Sequence, residues 1–61
     1  MNKYWVQYSY DDQKYLGDNR YTPVTVSQST FVATDDLEDW WNDFESESYL
    51  SGLQLTNVVK L

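Results

Sequence analysis

The apolar and polar positions of this chain fall into three extended stretches and one helical one. Over Lys3–Tyr10, Tyr4, Val6, Tyr8 and Tyr10 share one parity, while Trp5, Gln7 and Ser9 share the other. That alternation reads as a strand, since successive side chains point to opposite faces and Tyr, Trp and Val favour a pleated surface. The tyrosine row is expected to face a helix, with Trp5 on the opposite side. An exposed Trp5 there would hint at an interface. Asp11-Asp12-Gln13 is polar and suits a turn, and Lys14-Tyr15-Leu16 can return briefly as a strand. Gly17-Asp18-Asn19 is the strongest turn signal, because glycine supplies positive φ and Asp and Asn tolerate it. Asp11–Tyr21 reads equally as one long loop or as a short ribbon between two turns.

The second extended stretch is Tyr21–Ala33. Its apolar parity changes between Val26 and Phe31, which predicts a bulge, a bend or a break near Ser27–Ser29. The polar Ser27–Thr30 segment is weakly specified in register. Pro23 cannot donate to a ladder and belongs on an edge or at a strand start. The third stretch, Gly52–Leu61, follows a turn at Ser51-Gly52. Leu53, Leu55, Val59 and Leu61 are expected to face inwards and Gln54, Thr56, Val58 and Lys60 outwards, with the last residue tied into the sheet.

Between them, Asp35–Glu47 has helical spacing. Leu37, Trp40, Trp41 and Phe44 fall at i, i+3, i+4 and i+7, one apolar stripe at 3.6 residues per turn. Asp36, Asp39 and Asp43 flank it on one side, Glu38 and Glu45 on the other. Thr34 or Asp35 suits the N-cap, and with Asp35 there Glu38 nearly completes a capping box. The helix should end near Ser46–Ser48. The order is therefore β-β-(β)-α-β. This is an α+β fold in one domain over residues 1–61, a small antiparallel sheet of three or four strands with one helix packed on a face.

Charge changes the picture of that helix. The chain carries ten Asp and Glu against four Lys and Arg, and seven of the ten acids lie in Asp35–Glu47, which has no basic residue. The first-turn acids have a local reason: the positive end of the helix dipole favours each by roughly 0.3–1 kcal/mol. Asp43, Glu45 and Glu47 stand near the other end, where the dipole disfavours them, and no Lys or Arg lies at i±4. Their placement costs stability, so either they form a solvated rim or they are kept for a partner. The candidate partner-binding set is Asp36, Asp39, Trp40, Trp41, Asp43, Phe44, Glu45 and Glu47. It is weighted to the second half of the helix, with Trp40 or Trp41 as anchor. Periodicity does not choose between the two.

Composition removes most other chemistry. There is no Cys and no His, hence no disulfide, no thiolate site and neither the commonest metal ligand nor the commonest general base. The Asp35–Asp39 acids lack the glycine-containing spacing of a calcium loop. There is no Gly-rich phosphate loop, and a chain this short has little room for a ligand cavity. No catalytic residue, metal or cofactor is expected, and an enzyme is disfavoured. A net charge of −6 opposes direct nucleic-acid binding and attracts basic surfaces. No apolar run suits a bilayer span or a signal peptide, so no membrane association and a cytoplasmic location are expected. A domain of about 60 residues buries only roughly 60% of its unfolded surface. With no other staple available, a homodimer is expected.

The helix and the last strand resemble a known family, the very small uracil-DNA glycosylase inhibitors of Bacillus podophages, which are dimeric DNA mimics. Leu37-Glu38-Asp39-Trp40 is similar to a Leu-x-Asp-aromatic stretch there, and Phe44 to an aromatic one turn later. Leu53-Gln54-Leu55 followed by Lys60-Leu61 resembles the family's ending, while Trp41 stands where the family has an acid. The resemblance implies that Trp40 lies near the target-binding pocket with Asp39 as a flanking acid. There is a weaker likeness to the small inhibitor of bacterial RNA polymerase from T-odd coliphages. It is carried by Lys3-Tyr4-Trp5-Val6, Ala33-Thr34-Asp35 and Ser51-Gly52-Leu53. Both imply a phage-encoded acidic protein that occupies the basic groove of a host nucleic-acid enzyme. Uracil-DNA glycosylase leads as target, and RNA polymerase or a defence nuclease is the alternative. A reading of another class is a small structural or accessory dimer whose seam holds Trp5 and the tyrosines and whose acids only keep it soluble.

Overall fold

A computed structural model describes residues 1–61. Strand β1 (Asn2–Gly17), strand β2 (Arg20–Thr34), helix α1 (Leu37–Glu47) and strand β3 (Ser51–Lys60) follow in that order. The strands form one antiparallel sheet in the spatial order β2-β1-β3. The predicted α+β architecture is what the chain adopts, with three strands.

β1 is the spine, and it is longer than its sequence suggests. It runs through Asp11-Asp12-Gln13 with no turn, and Asp12, Gln13 and Lys14 pair with Val24, Pro23 and Thr22. Asp11–Tyr21 is therefore part of a hairpin. β3 reaches along β1 only from Tyr4 to Asp11, so the remainder projects as a two-stranded ribbon and the molecule extends over 49 × 20 × 12 Å. At the ribbon's end, Asp18 and Asn19 have φ of 53° and 59°. These are the paired positive values that a two-residue turn needs to match strand twist. Leu16 is the extra residue of a bulge there, and Gly17 takes φ 95° beside it. Pro23 is accommodated because β2 is an edge strand.

The break expected near Ser27–Ser29 is absent. Ser27, Gln28 and Ser29 pair with Ser9, Tyr8 and Gln7 without any shift of register. The Tyr8 hydroxyl donates to Gln28 Oε1 at 3.0 Å, and Gln28 Nε2 donates to the Tyr10 hydroxyl at 3.4 Å. Those bonds give the polar segment its place. The apparent change of parity has another cause: Val26 and Val32 lie on the helix side, opposite Tyr10 and Tyr4, while Phe31 lies on the other face opposite Trp5.

β3 carries the irregularity instead. Its register against β1 slips between Gln7 and Tyr8, leaving Thr56 unpaired, and again between Ser9 and Asp11. A one-residue slip exchanges the two faces of everything beyond it. Leu55 pairs with Tyr8 on the helix side, but Val58 pairs with the buried Val6, and Val59 pairs with Trp5 on the far side. So Val58 faces inwards, and Val59 and Leu61 face outwards, the reverse of the expectation for these three. The Leu61 N–H donates to the Lys3 carbonyl at 2.8 Å, so the last residue is tied to the sheet as expected. Gly52 holds φ 62°, and a Cβ there would collide with the Asp11 carboxylate.

The core is small and lies mostly on the helix side, with Ser9 its one buried residue on the other face. Val6, Tyr8, Ser9 and Val32 are the buried residues, with Val6 at 0% exposure. No residue of α1 is fully buried. The helix contributes by laying its aromatic stripe over Tyr8, whose ring meets Phe44 at 5.1 Å edge-on and Trp41 at 6.4 Å between centroids. Tyr8 thus lies beneath the helix, and parity puts Tyr4 and Tyr10 on the same face of the sheet. No helix is long and apolar enough to cross a membrane.

Candidate functional site

Helix α1 is entered through a tight cap. The N-cap is Asp36, not Thr34 or Asp35 as expected; its carboxylate accepts from the Asp39 N–H at 3.2 Å. Thr34 sets this up, since its Oγ1 accepts from the Asp36 N–H and donates to the Asp36 carbonyl. The shift places Asp39, not Glu38, at N3, so no capping box closes. Asp35 is left outside the helix, 3.5 Å from the Met1 ammonium. Of the predicted site residues, Asp36 therefore has a structural task. At the other end the helix closes at Ser48, whose N–H donates to the Phe44 carbonyl at 3.0 Å, within the predicted span.

The aromatic contacts divide the two tryptophans. Trp41 and Phe44 reach Tyr8 on the sheet. Trp40 stacks on Phe44 at 5.3 Å and lies 6.2 Å from Trp41, so its ring partners are all within the helix. Trp41 is the tryptophan that holds the helix to the sheet, and Trp40 is the one at the flank. At i, i+4 and i+8, Asp39, Asp43 and Glu47 form a row along that same flank, each about 6 Å further up the helix axis. All three are exposed. Glu45 lies on the opposite flank with Glu38. The eight predicted residues are thus split: Trp41 and Phe44 do the packing, Asp36 does the capping, half-buried Trp40 borders the exposed row Asp39, Asp43 and Glu47, and exposed Glu45 stands apart on the opposite flank.

No cation compensates that edge. The last turn holds no basic residue, and the single ion pair in the molecule is that of Asp35. Lys3 and Lys60 sit in the sheet opposite Ala33 and Tyr4, and Lys14 and Arg20 are on the ribbon. No three carboxylates converge as they would around a metal ion.

A cleft of about 650 Å³ opens where the chain leaves the helix. Tyr10, Asp11, Asp12 and Pro23 of the ribbon form one wall, and Tyr49, Leu50 and Ser51 of the connection to β3 form the other. It is larger than the chain length led us to expect. The ribbon creates it by running on past the end of β3. Its chemistry continues that of the helix edge, with two carboxylates set among tyrosine rings, a lining suited to a basic side chain through charge and cation–π attraction. The sequence signal that could have found it was Tyr49, a large aromatic outside every predicted element. Asp11 and Asp12 were hidden by their resemblance to turn residues. Neither wall carries a nucleophile paired with a base.

No family model, curated protein or solved structure matches the chain. The functional reading therefore rests on the geometry of this surface.

Proposed function

We propose that this chain is an acidic inhibitor that occupies the basic groove of a nucleic-acid-processing enzyme. The observation that carries this reading is the exposed, uncompensated row Asp39–Asp43–Glu47 beside Trp40. Like charges at i, i+4 destabilise a helix by roughly 0.2–0.5 kcal/mol per pair, so the row works against folding. Carboxylates at regular intervals along a rigid element can stand in for phosphates before a groove built to bind them, and they speed encounter with it. Trp40 supplies the anchor, since tryptophan is among the residues that most often dominate binding energy. The Asp11–Asp12 cleft receives a basic side chain from the same partner. The resemblance of Leu37–Trp40 and Phe44 to podophage inhibitors makes uracil-DNA glycosylase the first target to test, with action in the cytoplasm of an infected host.

The test is uracil excision by a bacterial glycosylase in low salt, with the protein in several-fold molar excess. Excision should stop. Asp39→Asn with Asp43→Asn and Glu47→Gln should weaken inhibition by at least about ten-fold, as expected for the loss of several charges facing a basic groove. Undiminished excision with the wild-type protein would exclude the glycosylase, and capture from bacterial lysate would then show whether RNA polymerase or a defence nuclease takes its place. Equal binding by the neutralised variant would rule out phosphate mimicry whatever the target.

A further inference from the structure

The cleft beside Asp11 and Asp12 is a vacant strand position. β3 pairs with β1 only as far as Asp11 and Ser51, whereas β1 continues to Gly17 with β2 on its other side. From Asp12 to Leu16, about 17 Å of strand, the side of β1 that β3 would cover is empty. The lining of the cleft agrees. Tyr10 and Asp12 have the parity of the helix face, and Asp11, Gln13 and Pro23 that of the other face. A cavity of about 650 Å³ lined from both faces opens at the edge of the sheet and not on one side of it. We propose that this position takes an extended, basic segment of a partner protein, which adds to β1 as a third strand of the ribbon. The proposal rests on the reading of the cleft as a receptor for a basic side chain and adds main-chain recognition to it.

The backbone is turned the right way for this. Pro23 has no N–H, and the N–H of Gln13 opposite it donates to Asp12 Oδ1 at 2.8 Å. Gln13 and Pro23 are thus a non-hydrogen-bonded pair. Such pairs alternate with bonded ones along an antiparallel ladder, so Asp11, Gln13 and Tyr15 direct their N–H and C=O groups away from β2. Asp11 meets Ser51 of β3 there, while Gln13 and Tyr15 have no strand to meet. An incoming strand supplies partners for both, and main-chain bonds of this kind are the source of affinity in strand addition. Charge selects the sequence of the segment. Asp11 and Asp12 are the only charged residues of the lining, and Gly52 leaves room for the Asp11 carboxylate to lie over the start of β3. Tyr49, fully exposed on the far wall, adds a ring face for a cation. Lys14 is the next charge along β1 and lies outside the lining. The basic residue of the segment therefore belongs at the Asp12 end, with a neutral one beside Lys14. The outer edge of β2 is the competing site, but from Val24 to Thr34 it carries no charge and gives a basic strand nothing to prefer.

The probe is a blocked hexapeptide of alternating threonine and valine with one arginine next to its C-terminal residue, the end that an antiparallel strand sets beside Asp12. Added to the wild-type chain, it should slow hydrogen exchange at the Gln13 and Tyr15 amides and leave Thr25, on the outer edge of β2, unaltered. Two N-methylated versions, blocked at alternate nitrogens of opposite parity, separate strand pairing from charge. One should bind at least about ten-fold more weakly and the other as before, because only alternate N–H groups face β1. Asp11→Asn with Asp12→Asn should weaken binding roughly ten-fold. Asp39→Asn with Asp43→Asn should leave it unchanged, which tests the vacant position apart from the helix edge. No binding at millimolar peptide would overturn the proposal, as would equal loss, or no loss, with both methylated peptides. Protection of Thr25 in place of Gln13 would move the site to β2. Protection of Gln13 that rises with protein concentration and needs no peptide would give the position to a second copy, and either result rejects the proposal. If the peptide fails to bind while the chain still stops uracil excision, strand addition is wrong and the inhibitor reading stands.

Discussion

The two faces of the sheet are built from alternate residues of the same strands, yet they do different work. On one, Val6 and Tyr8 are buried, and Tyr8 alone gathers Trp41, Phe44, Tyr10 and the Gln28 side chain. On the other, Ser9 is buried and Trp5 and Gln7 are half-buried, while Phe31, opposite Trp5, is exposed. Sheets with one solvated face usually alternate apolar with polar residues. This one carries large apolar groups on both. The difference teaches that aromatic content does not by itself measure the core. Phe31, Val59 and Leu61 are displayed on the open face.

The comparison is most severely tested at Tyr8. Tyr8→Ala should remove the ring on which the helix rests and cost about 3–5 kcal/mol. For a domain of such marginal stability, loss of a cooperative thermal transition is the expected result. A variant that still melts cooperatively within a few degrees of wild type would show that the helix is held by something else. Gly52→Ala comes next, because the left-handed backbone and the Asp11 carboxylate leave no room for a side chain. It should cost about 1–3 kcal/mol in urea unfolding, and a neutral result would mean that β3 does not close against β1 as described.

Smaller effects separate the acids of the helix. Asp36→Ala should destabilise by about 1 kcal/mol through loss of the cap. Asp43→Asn should stabilise by about 0.2–0.5 kcal/mol by relieving repulsion from Asp39 and Glu47, while weakening capture by a basic partner. If both substitutions destabilise, the acidic edge belongs to the fold and the contrast between capping and displayed carboxylates is lost. The smallest effect should be at Phe31. Phe31→Ser should change unfolding free energy by less than about 0.5 kcal/mol, as for an ordinary surface position. A cost several times larger would mean that the open face stabilises the fold after all.

Much of the fold was legible in the residues. The stripe Leu37, Trp40, Trp41 and Phe44, the turn at Gly17-Asp18-Asn19 and the parity of Tyr4 to Tyr10 depend on neighbours within a few positions, and each is found where its pattern put it. Expectation and structure part where partners come from afar. Asp11 and Asp12 resemble turn residues, but a ladder to Thr25 and Val24 carries the strand through them. Ser27–Ser29 looks like a break, but hydrogen bonds from Tyr8 and to Tyr10 hold Gln28 in line. The candidate site was legible as a set of acids and aromatics. Its division into packing, capping and displayed residues was not, because Trp40 and Trp41 differ only in which of them meets Tyr8, a ring about 110 Å away along the extended chain.

Local physics in this sequence, the 3.6-residue stripe, the two-residue alternation and the positive φ of the turn, determined that there would be a β-β-α-β chain with an acidic, aromatic helix. Tertiary structure decided the rest. The slip at Thr56 turned Val58 inwards and Val59 outwards, and the short reach of β3 freed the ribbon and opened the cleft beside Asp11 and Asp12. It also left one whole face of the sheet bare. Each of these outcomes depends on the register between strands tens of residues apart. No turn joins β1 to β3 directly, so their register is left to cross-strand contacts, and each one-residue slip reverses the faces beyond it.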